Sequence, residues 1–149
     1  MPKIDVYLEF WEYLRHHGLK TIHVIDHADA WDFRVTPQEY RVQDTFHHTI
    51  QSIYEDAGNW FLNDPTRFTP SDNHTADLNR AINRMIHAIK SFQDEDLDRE
   101  FTFQWGEKTT IGGAIRQNLF HAIGHFSQLR NWAGLRQRQS SRQAEKSYL

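Results

Sequence analysis

The chain has 149 residues, a length that predicts one domain with a sizeable apolar core. Hydrophobic residues make up 38% and charged residues 25%, which fits a folded globular protein and excludes an intrinsically disordered chain. The absence of cysteine excludes disulfides, zinc–thiolate sites, iron–sulfur clusters and a protein thiol nucleophile, and the net charge of -3 argues against nucleic acid as the main partner.

The sequence shows no sign of targeting to a membrane or of secretion. The stretch from Met1 to Asp5 has no apolar segment behind a basic one, and no run of about 18 apolar residues occurs anywhere. We therefore expect a cytoplasmic protein without a membrane partner.

The first predicted element is a helix from about Asp5 to about His27, because its apolar residues recur at three- and four-residue steps. Gly18 interrupts this pattern and weakens the prediction of one unbroken helix. A loop follows over residues 29–40. Within it, Thr36-Pro37-Gln38-Glu39 offers a cap, a proline at the first helical position and a glutamate at the third, so a helix can start there or a few residues later.

Three further helices are predicted along the rest of the chain. The second spans about Tyr40 to Phe61 and the third about Thr75 to Phe92. Residues 101–106 alternate between apolar and polar and predict a short extended element. The fourth helix begins near Thr109 or Thr110 and runs to about Arg136.

Four amphipathic segments without strong strand signals predict an all-α fold, an antiparallel four-helix bundle. No internal repeat and no domain boundary is visible, so residues 1–149 are predicted to form a single domain. The residues from about 138 to 149 are predicted to form a polar, solvated and partly frayed C-terminal tail.

Histidine is abundant, and two pairs have a spacing that places both rings on one helix face. The chain has ten histidines, and His23/His27 and His121/His125 are each four residues apart. Random placement gives about 0.65 such pairs, so spacing alone is weak evidence for a metal site. Two imidazoles on one face can share a divalent metal, but a firm site needs a third ligand.

The surroundings distinguish the two pairs. On a helical wheel, His121 and His125 share a narrow sector with small and polar residues, at the edge of the buried face. A metal would satisfy histidines in such a position. The pair His23/His27 lies among aspartates near a helix end, where solvated side chains are the simpler interpretation. We therefore predict ligands at His121 and His125.

The second helix offers His47 and His48 as a third ligand. Its apolar stripe lies between Val42 and Ile50, which slightly favours His47 as the inward-facing residue, but the geometry is not decisive. His74 and His87 have no supporting pattern.

The chain resembles the DinB/YfiT-like family of bacterial four-helix bundles, a family of proposed metal-dependent enzymes. The resemblance rests on Val42-Gln-Asp-Thr-Phe-His-His-Thr-Ile50 and on His121-Ala-Ile-Gly-His-Phe-Ser-Gln-Leu129, in the family's order, with a similar first loop at Trp31–Pro37. In the family's second helix, the ligand histidine follows an aliphatic residue by six positions, which here is His48. The resemblance thus implies a three-histidine metal site of His48, His121 and His125, although Ser127 stands where a glycine is common.

Such a site implies a divalent metal ion, which we expect to be nickel, zinc or iron, with coordination positions open for catalysis. The two reactions to consider are hydrolysis and thiol transfer or isomerisation with a low-molecular-weight thiol as a partner; the resemblance leans toward the thiol. The alternative is a stress-induced metal-binding or interaction protein without catalytic activity. No general base is identified, with Asp44 and Tyr54 as weak candidates, and Gln128 either orients a ligand or packs.

The first helix also suggests self-association. Its aromatic residues are more numerous than one core needs, so we expect a homodimer, although the same side chains can simply be core: Tyr7, Phe10, Trp11 and Tyr13.

Overall fold

The structure is a computed structural model that describes residues 2–147. Four α-helices, α1 to α4, span Lys3–Ala28, Val42–Asp56, His74–Lys90 and Ile111–Ser147. Two short strands, β1 (Glu100–Thr102) and β2 (Lys108–Thr110), pair antiparallel with Phe101 opposite Thr109. This mostly helical architecture confirms the predicted all-α class.

The helices enclose one apolar core. Helices α1 and α2 each pack against both α3 and α4. The largest fully buried side chains come from all four helices: Trp11, Leu14, Ile25, Phe46, Ile50, Ile53, Leu78, Ile82, Met85, Ile89, Ile115 and Phe126. Over the residues described, no helix is both long and apolar enough to cross a bilayer.

Helix α1 is continuous through Gly18, which the sequence marked as a point of weakness. Gly18 is buried, and a Cβ there would lie 2.8 Å from Leu78 of α3 and 3.2 Å from Phe126 of α4. The glycine therefore lets two neighbouring helices approach the α1 backbone closely, and it does not end the helix.

Thr36 does not cap a helix, and of the two helix starts that the sequence allowed the later one is confirmed. Residues 36–39 form a turn in which the Glu39 amide donates to the Thr36 carbonyl at 3.1 Å. Helix α2 begins at Val42 instead, where the Arg41 amide donates to the Asp44 carboxylate at 3.2 Å. An acidic side chain in the first turn satisfies an amide that the helix itself leaves unpaired.

Helix α2 was predicted to run to Phe61, but regular α-helix ends at Asp56 and a π-helical segment, Ala57–Leu62, follows. Its Gly58 is buried, and a Cβ there would overlap the Asp64 carbonyl oxygen and the Arg84 guanidinium, so this position requires glycine. The π-helical segment carries Trp60, whose side chain is half-buried.

Helix α4 extends to Ser147, eleven residues beyond its predicted end at Arg136. The apolar period fades near Arg136, but the following residues include no glycine or proline, and most of them are good helix formers. Residues 137–146 are almost all exposed, and the predicted C-terminal tail is helical as far as Ser147; its last two residues lie outside the described part of the chain.

Candidate metal centre

Three histidines from two helices converge at the seam between α2 and α4. His48 belongs to α2, whereas His121 and His125 lie one turn apart on α4. One ring nitrogen of each lies within 4.8 Å of the others. The Nε2 atoms of His121 and His125 are 3.0 Å apart, and the His48 ring centroid lies 5.5 and 5.4 Å from theirs. The structure thus brings together all three histidines that the family resemblance nominated.

The donor set fits a divalent metal. Metal–imidazole bonds of about 2.1 Å place two nitrogens on one ion about 3.0–3.4 Å apart, a range that includes the spacing of His121 and His125. Gln128 Oε1 lies 3.1 Å from Nδ1 of His125. A proton on that Nδ1 leaves Nε2 free to bind a metal, so Gln128 is positioned to orient the ring.

The electrostatics of the cluster favour neutral rings, the form that binds metals. Partial desolvation at the seam lowers the pKa of His48, and the neighbouring His125 lowers it further. The pKa of His121 is lowered in the same way, first by desolvation and then by His125 and His48. Over the described part of the chain, no carboxylate shifts either value. At neutral pH these imidazoles are therefore unprotonated on one nitrogen and available as ligands.

His47 points away from this cluster. Its ring centroid lies 5.8 Å from that of His74, which in turn stacks on Trp31 at 3.6 Å. Among residues 2–147, no hydrogen-bond partner reaches the buried Nε2 of His47. Of the two second-helix histidines that the apolar stripe left open, His48 is therefore the one whose ring lies beside His121 and His125.

The second i,i+4 pair stands apart, as predicted. His23 and His27 are exposed on α1, with ring centroids 6.5 Å apart. They provide a natural control for the effect of removing a histidine outside the cluster.

Two pockets flank the three histidines along the seam. A cavity of about 460 Å³ lies on one side, lined by Glu39, Tyr40, Asp44, Thr45, His48, His125, Gln128 and Trp132. A smaller cavity of about 170 Å³ lies on the other, lined by Ser52, Asp56, Trp60, Gln104, Trp105, Gln117, Asn118 and His121. From the larger pocket to the smaller one, the residue numbers rise along α2 and fall along α4. These two helices therefore run antiparallel, and the histidines lie midway between the pockets.

The sequence did not single out Asp56, which lies in the smaller pocket. Asn118 donates from Nδ2 to the Asp56 carboxylate at 2.7 Å. Burial raises the pKa of Asp56 to about 6, although the bond from Asn118 lowers it in part. Asp56 follows His48 by eight residues and Asn118 precedes His121 by three, so a helical wheel anchored on the histidines could have found both.

The two candidates for a general base, Asp44 and Tyr54, lie in different parts of the molecule. Asp44 lines the larger pocket but forms an ion pair with Arg41 at 2.9 Å. The Arg84 guanidinium lies over the Tyr54 ring, with its central carbon 4.2 Å from the ring centroid, and Tyr54 lines neither flanking pocket.

Comparison with known proteins identifies the family of this chain. Among curated proteins, none matches this chain. The family model of the DinB superfamily matches residues 9–129, a span that includes α2, α3 and all three histidines. The chain therefore belongs to the DinB superfamily.

Proposed function

We propose that this protein is a metal-dependent enzyme that transfers a small thiol to an electrophilic substrate, built as an antiparallel four-helix bundle. The observation that carries the proposal is the convergence of His48, His121 and His125, with ligand atoms within 4.8 Å of one another, between two pockets. Structural metal sites are closed by four protein ligands, whereas three ligands beside a cavity are typical of catalytic sites.

The three imidazoles would hold one divalent ion, for which nickel, zinc and iron are the candidates that imidazole suits. Such an ion supplies Lewis acidity, which lowers the pKa of a thiol or a water molecule beside it. Gln128 would keep the His125 ring in the orientation that presents Nε2.

Thiol chemistry suits these surroundings better than hydrolysis. A thiol has a pKa of about 8.5 and becomes a nucleophile with little assistance, whereas water needs much stronger activation and usually a nearby base. No carboxylate among residues 2–147 contributes to the pKa of His48 or His121, and Asp44, which lines the larger pocket, is paired with Arg41. The protein has no cysteine of its own, so the reacting sulfur would come from a small-molecule partner.

The larger pocket would receive the electrophile. His48 and His125 form its inner wall, and Tyr40 and Trp132 supply aromatic surface. In the reaction, the thiol proton passes to solvent and the sulfur attacks an electrophilic carbon. A carbon–sulfur bond forms, and the leaving group departs with the electrons of the bond that breaks.

The test measures this reaction directly. The protein, purified without chelator or nickel resin, is loaded separately with zinc, nickel and ferrous ions. The conjugation of cysteamine to chlorodinitrobenzene is then monitored by measuring the chloride that is released. We expect one metal to give a clear rate above background and His121→Ala to lower that rate at least about 100-fold, because two ligands hold a metal poorly.

His23→Ala is the matched control, since it removes an exposed histidine of an equally spaced pair, and its rate should equal that of the wild type. A metal bound stoichiometrically but inactive with a broad panel of thiols and electrophiles would contradict the proposal. A large loss of melting temperature on removing that metal would then indicate a metal-binding protein without catalysis.

We also propose that the protein forms a homodimer through the face shared by α1 and α4. Four large apolar side chains there are 42–65% exposed: Phe10, Tyr13, Phe120 and Ile123. Sedimentation equilibrium should give twice the 17.8 kDa mass of the chain, and Tyr13→Glu should shift it toward the monomer. A monomer for the wild type at all concentrations would exclude the dimer.

A further inference from the structure

The smaller pocket, which we call the acceptor pocket, adjoins the three-histidine cluster but differs from it in chemistry. It lies between α2, α4, the π-helical segment and the turn that joins β1 to β2. His121 forms its end nearest the cluster. A small molecule bound near His121 could therefore place its other end in this pocket.

One hydrogen-bond acceptor of the pocket lacks a partner. Asn118 is 2% exposed, and within residues 2–147 no donor reaches its Oδ1, because its Nδ2 is the group that binds Asp56. Asp56 adds a half-buried carboxylate. No lysine or arginine is among the described residues that line the pocket. A buried acceptor without a donor is costly, so the arrangement points to a donor supplied by a ligand.

Two tryptophans complete the walls, each held by its own contacts. Trp60 donates from Nε1 to Gln104 Oε1 at 3.0 Å. Trp105 stacks on Phe103 with ring centroids 4.4 Å apart and donates from Nε1 to Glu107 at 3.0 Å. Indole rings attract cations through their π faces, and a carboxylate beside them adds to that attraction.

We propose that the acceptor pocket binds a primary ammonium group of the substrate, with Asp56 and Asn118 as its hydrogen-bond acceptors. This inference rests on the proposed function and makes it more specific: the small thiol would be an aminothiol, its sulfur near His121 and its ammonium group beside Asp56. An ammonium group carries three donors and one positive charge, which matches an unpaired amide oxygen and a carboxylate.

The electrostatics of Asp56 agree with this assignment. Burial raises the pKa of its carboxyl to about 6, and among residues 2–147 no cationic side chain offsets the burial. Most buried carboxylates in proteins are paired with a cation. A bound ammonium group would supply the missing one.

The test uses the full chain and does not require a metal. Ethylammonium chloride is titrated into the metal-free protein at pH 7.5 against a sodium chloride reference of equal ionic strength. The indole N–H signals are followed by NMR, with those of Trp60 and Trp105 assigned from Trp60→Phe and Trp105→Phe. We expect both signals to shift with ethylammonium and neither to shift with ethanol. In Asp56→Asn, the apparent dissociation constant should rise at least about tenfold.

Glu9→Gln is the matched control, because it removes an exposed acidic side chain of α1 that lines neither flanking pocket, and it should titrate like the wild type. The inference is overturned if ethylammonium moves neither indole signal, or if Asp56→Asn, with a folded spectrum, binds as tightly as the wild type. The content of nickel, zinc and iron, measured in parallel on protein loaded with each metal, separates the two proposals. If the chain binds ethylammonium but none of these metals, the ammonium site is supported and the proposed enzymatic function is contradicted.

Discussion

Alanine at position 48 is expected to abolish tight metal binding, whereas alanine at the adjacent position 47 should leave it intact. His48 lies with His121 and His125, with ligand atoms within 4.8 Å of one another, while the His47 ring lies beside His74. Removing one of three ligands should raise the metal dissociation constant at least about 100-fold. Elemental analysis should therefore find about one metal ion per wild-type chain and almost none in His48→Ala.

Thermal stability gives a second, independent readout of the same change. A metal at about 100 times its dissociation constant stabilises the wild type by about 2.7 kcal/mol, or roughly 5–10 °C for a domain of this size. His48→Ala should gain nothing from added metal but should melt like the metal-free wild type, because His48 is exposed.

His47→Ala should show the opposite pattern. The His47 ring is half-buried beside Phe46 and His74, so its loss should lower the melting temperature of the metal-free protein while leaving the metal-induced rise unchanged. Metal loss in His47→Ala with metal retained in His48→Ala would show that the second-helix ligand has been assigned to the wrong residue.

The helices themselves could be predicted because apolar periodicity is a property of the sequence alone. The periods in α1 and α3 located both ends of each helix within about two residues. Two boundaries could not be predicted in this way. The change from α- to π-helix at Ala57 depends on the tight approach of Asp64 and Arg84 to Gly58, and the extension of α4 to Ser147 depends on helix propensity after the apolar period has faded.

The two cues that conflicted over the second-helix ligand describe different surfaces. The apolar stripe indicated that His47 faces inward, and its ring does pack against Phe46 and His74. The three-histidine cluster, however, lies at the partly exposed seam with α4, which His48 faces. A hydrophobic stripe finds the core and not a cluster at its edge, whereas the residue spacing of the family nominated the histidine that lies beside His121 and His125.

The burial of Asp56 could not be predicted from the sequence, although the helix face on which it lies could. Asp56 follows Glu55 in a polar part of α2, and nothing local distinguishes a carboxylate that will be buried from one that will be exposed. Its burial depends on Asn118, which is 62 residues away and becomes a neighbour only through helix packing. The acceptor pocket also needs Trp60 and Trp105, whose positions depend on the π-helical segment and the strand turn.

Asparagine in place of Asp56 is expected to stabilise the protein at neutral pH and to lose that advantage in acid. The carboxyl has a pKa of about 6 in the folded chain against 3.8 as its ordinary value, so folding penalises its ionised form. Below pH 3.8 the group is protonated in both states and no penalty exists; the penalty grows as pH rises to 6 and is complete above pH 7. Because the group is half-buried and its charge is partly screened by solvent, we expect a gain of about 2 kcal/mol at pH 7.5.

For a domain of this size, that gain corresponds to a melting temperature about 4–8 °C higher at pH 7.5, with little difference at pH 4. Melts of the metal-free wild type and Asp56→Asn at half-unit pH steps measure it, and the difference between the two curves cancels the contributions of His47 and His74, which titrate in both. Glu39→Gln, which changes an exposed acid in the same chemical way, should show no such rise. An Asp56→Asn protein less stable than the wild type at pH 7.5 would mean that the bond from Asn118 outweighs the burial. A more stable variant that binds ethylammonium poorly would show that Asp56 reduces stability and serves binding, as is common for residues in functional sites.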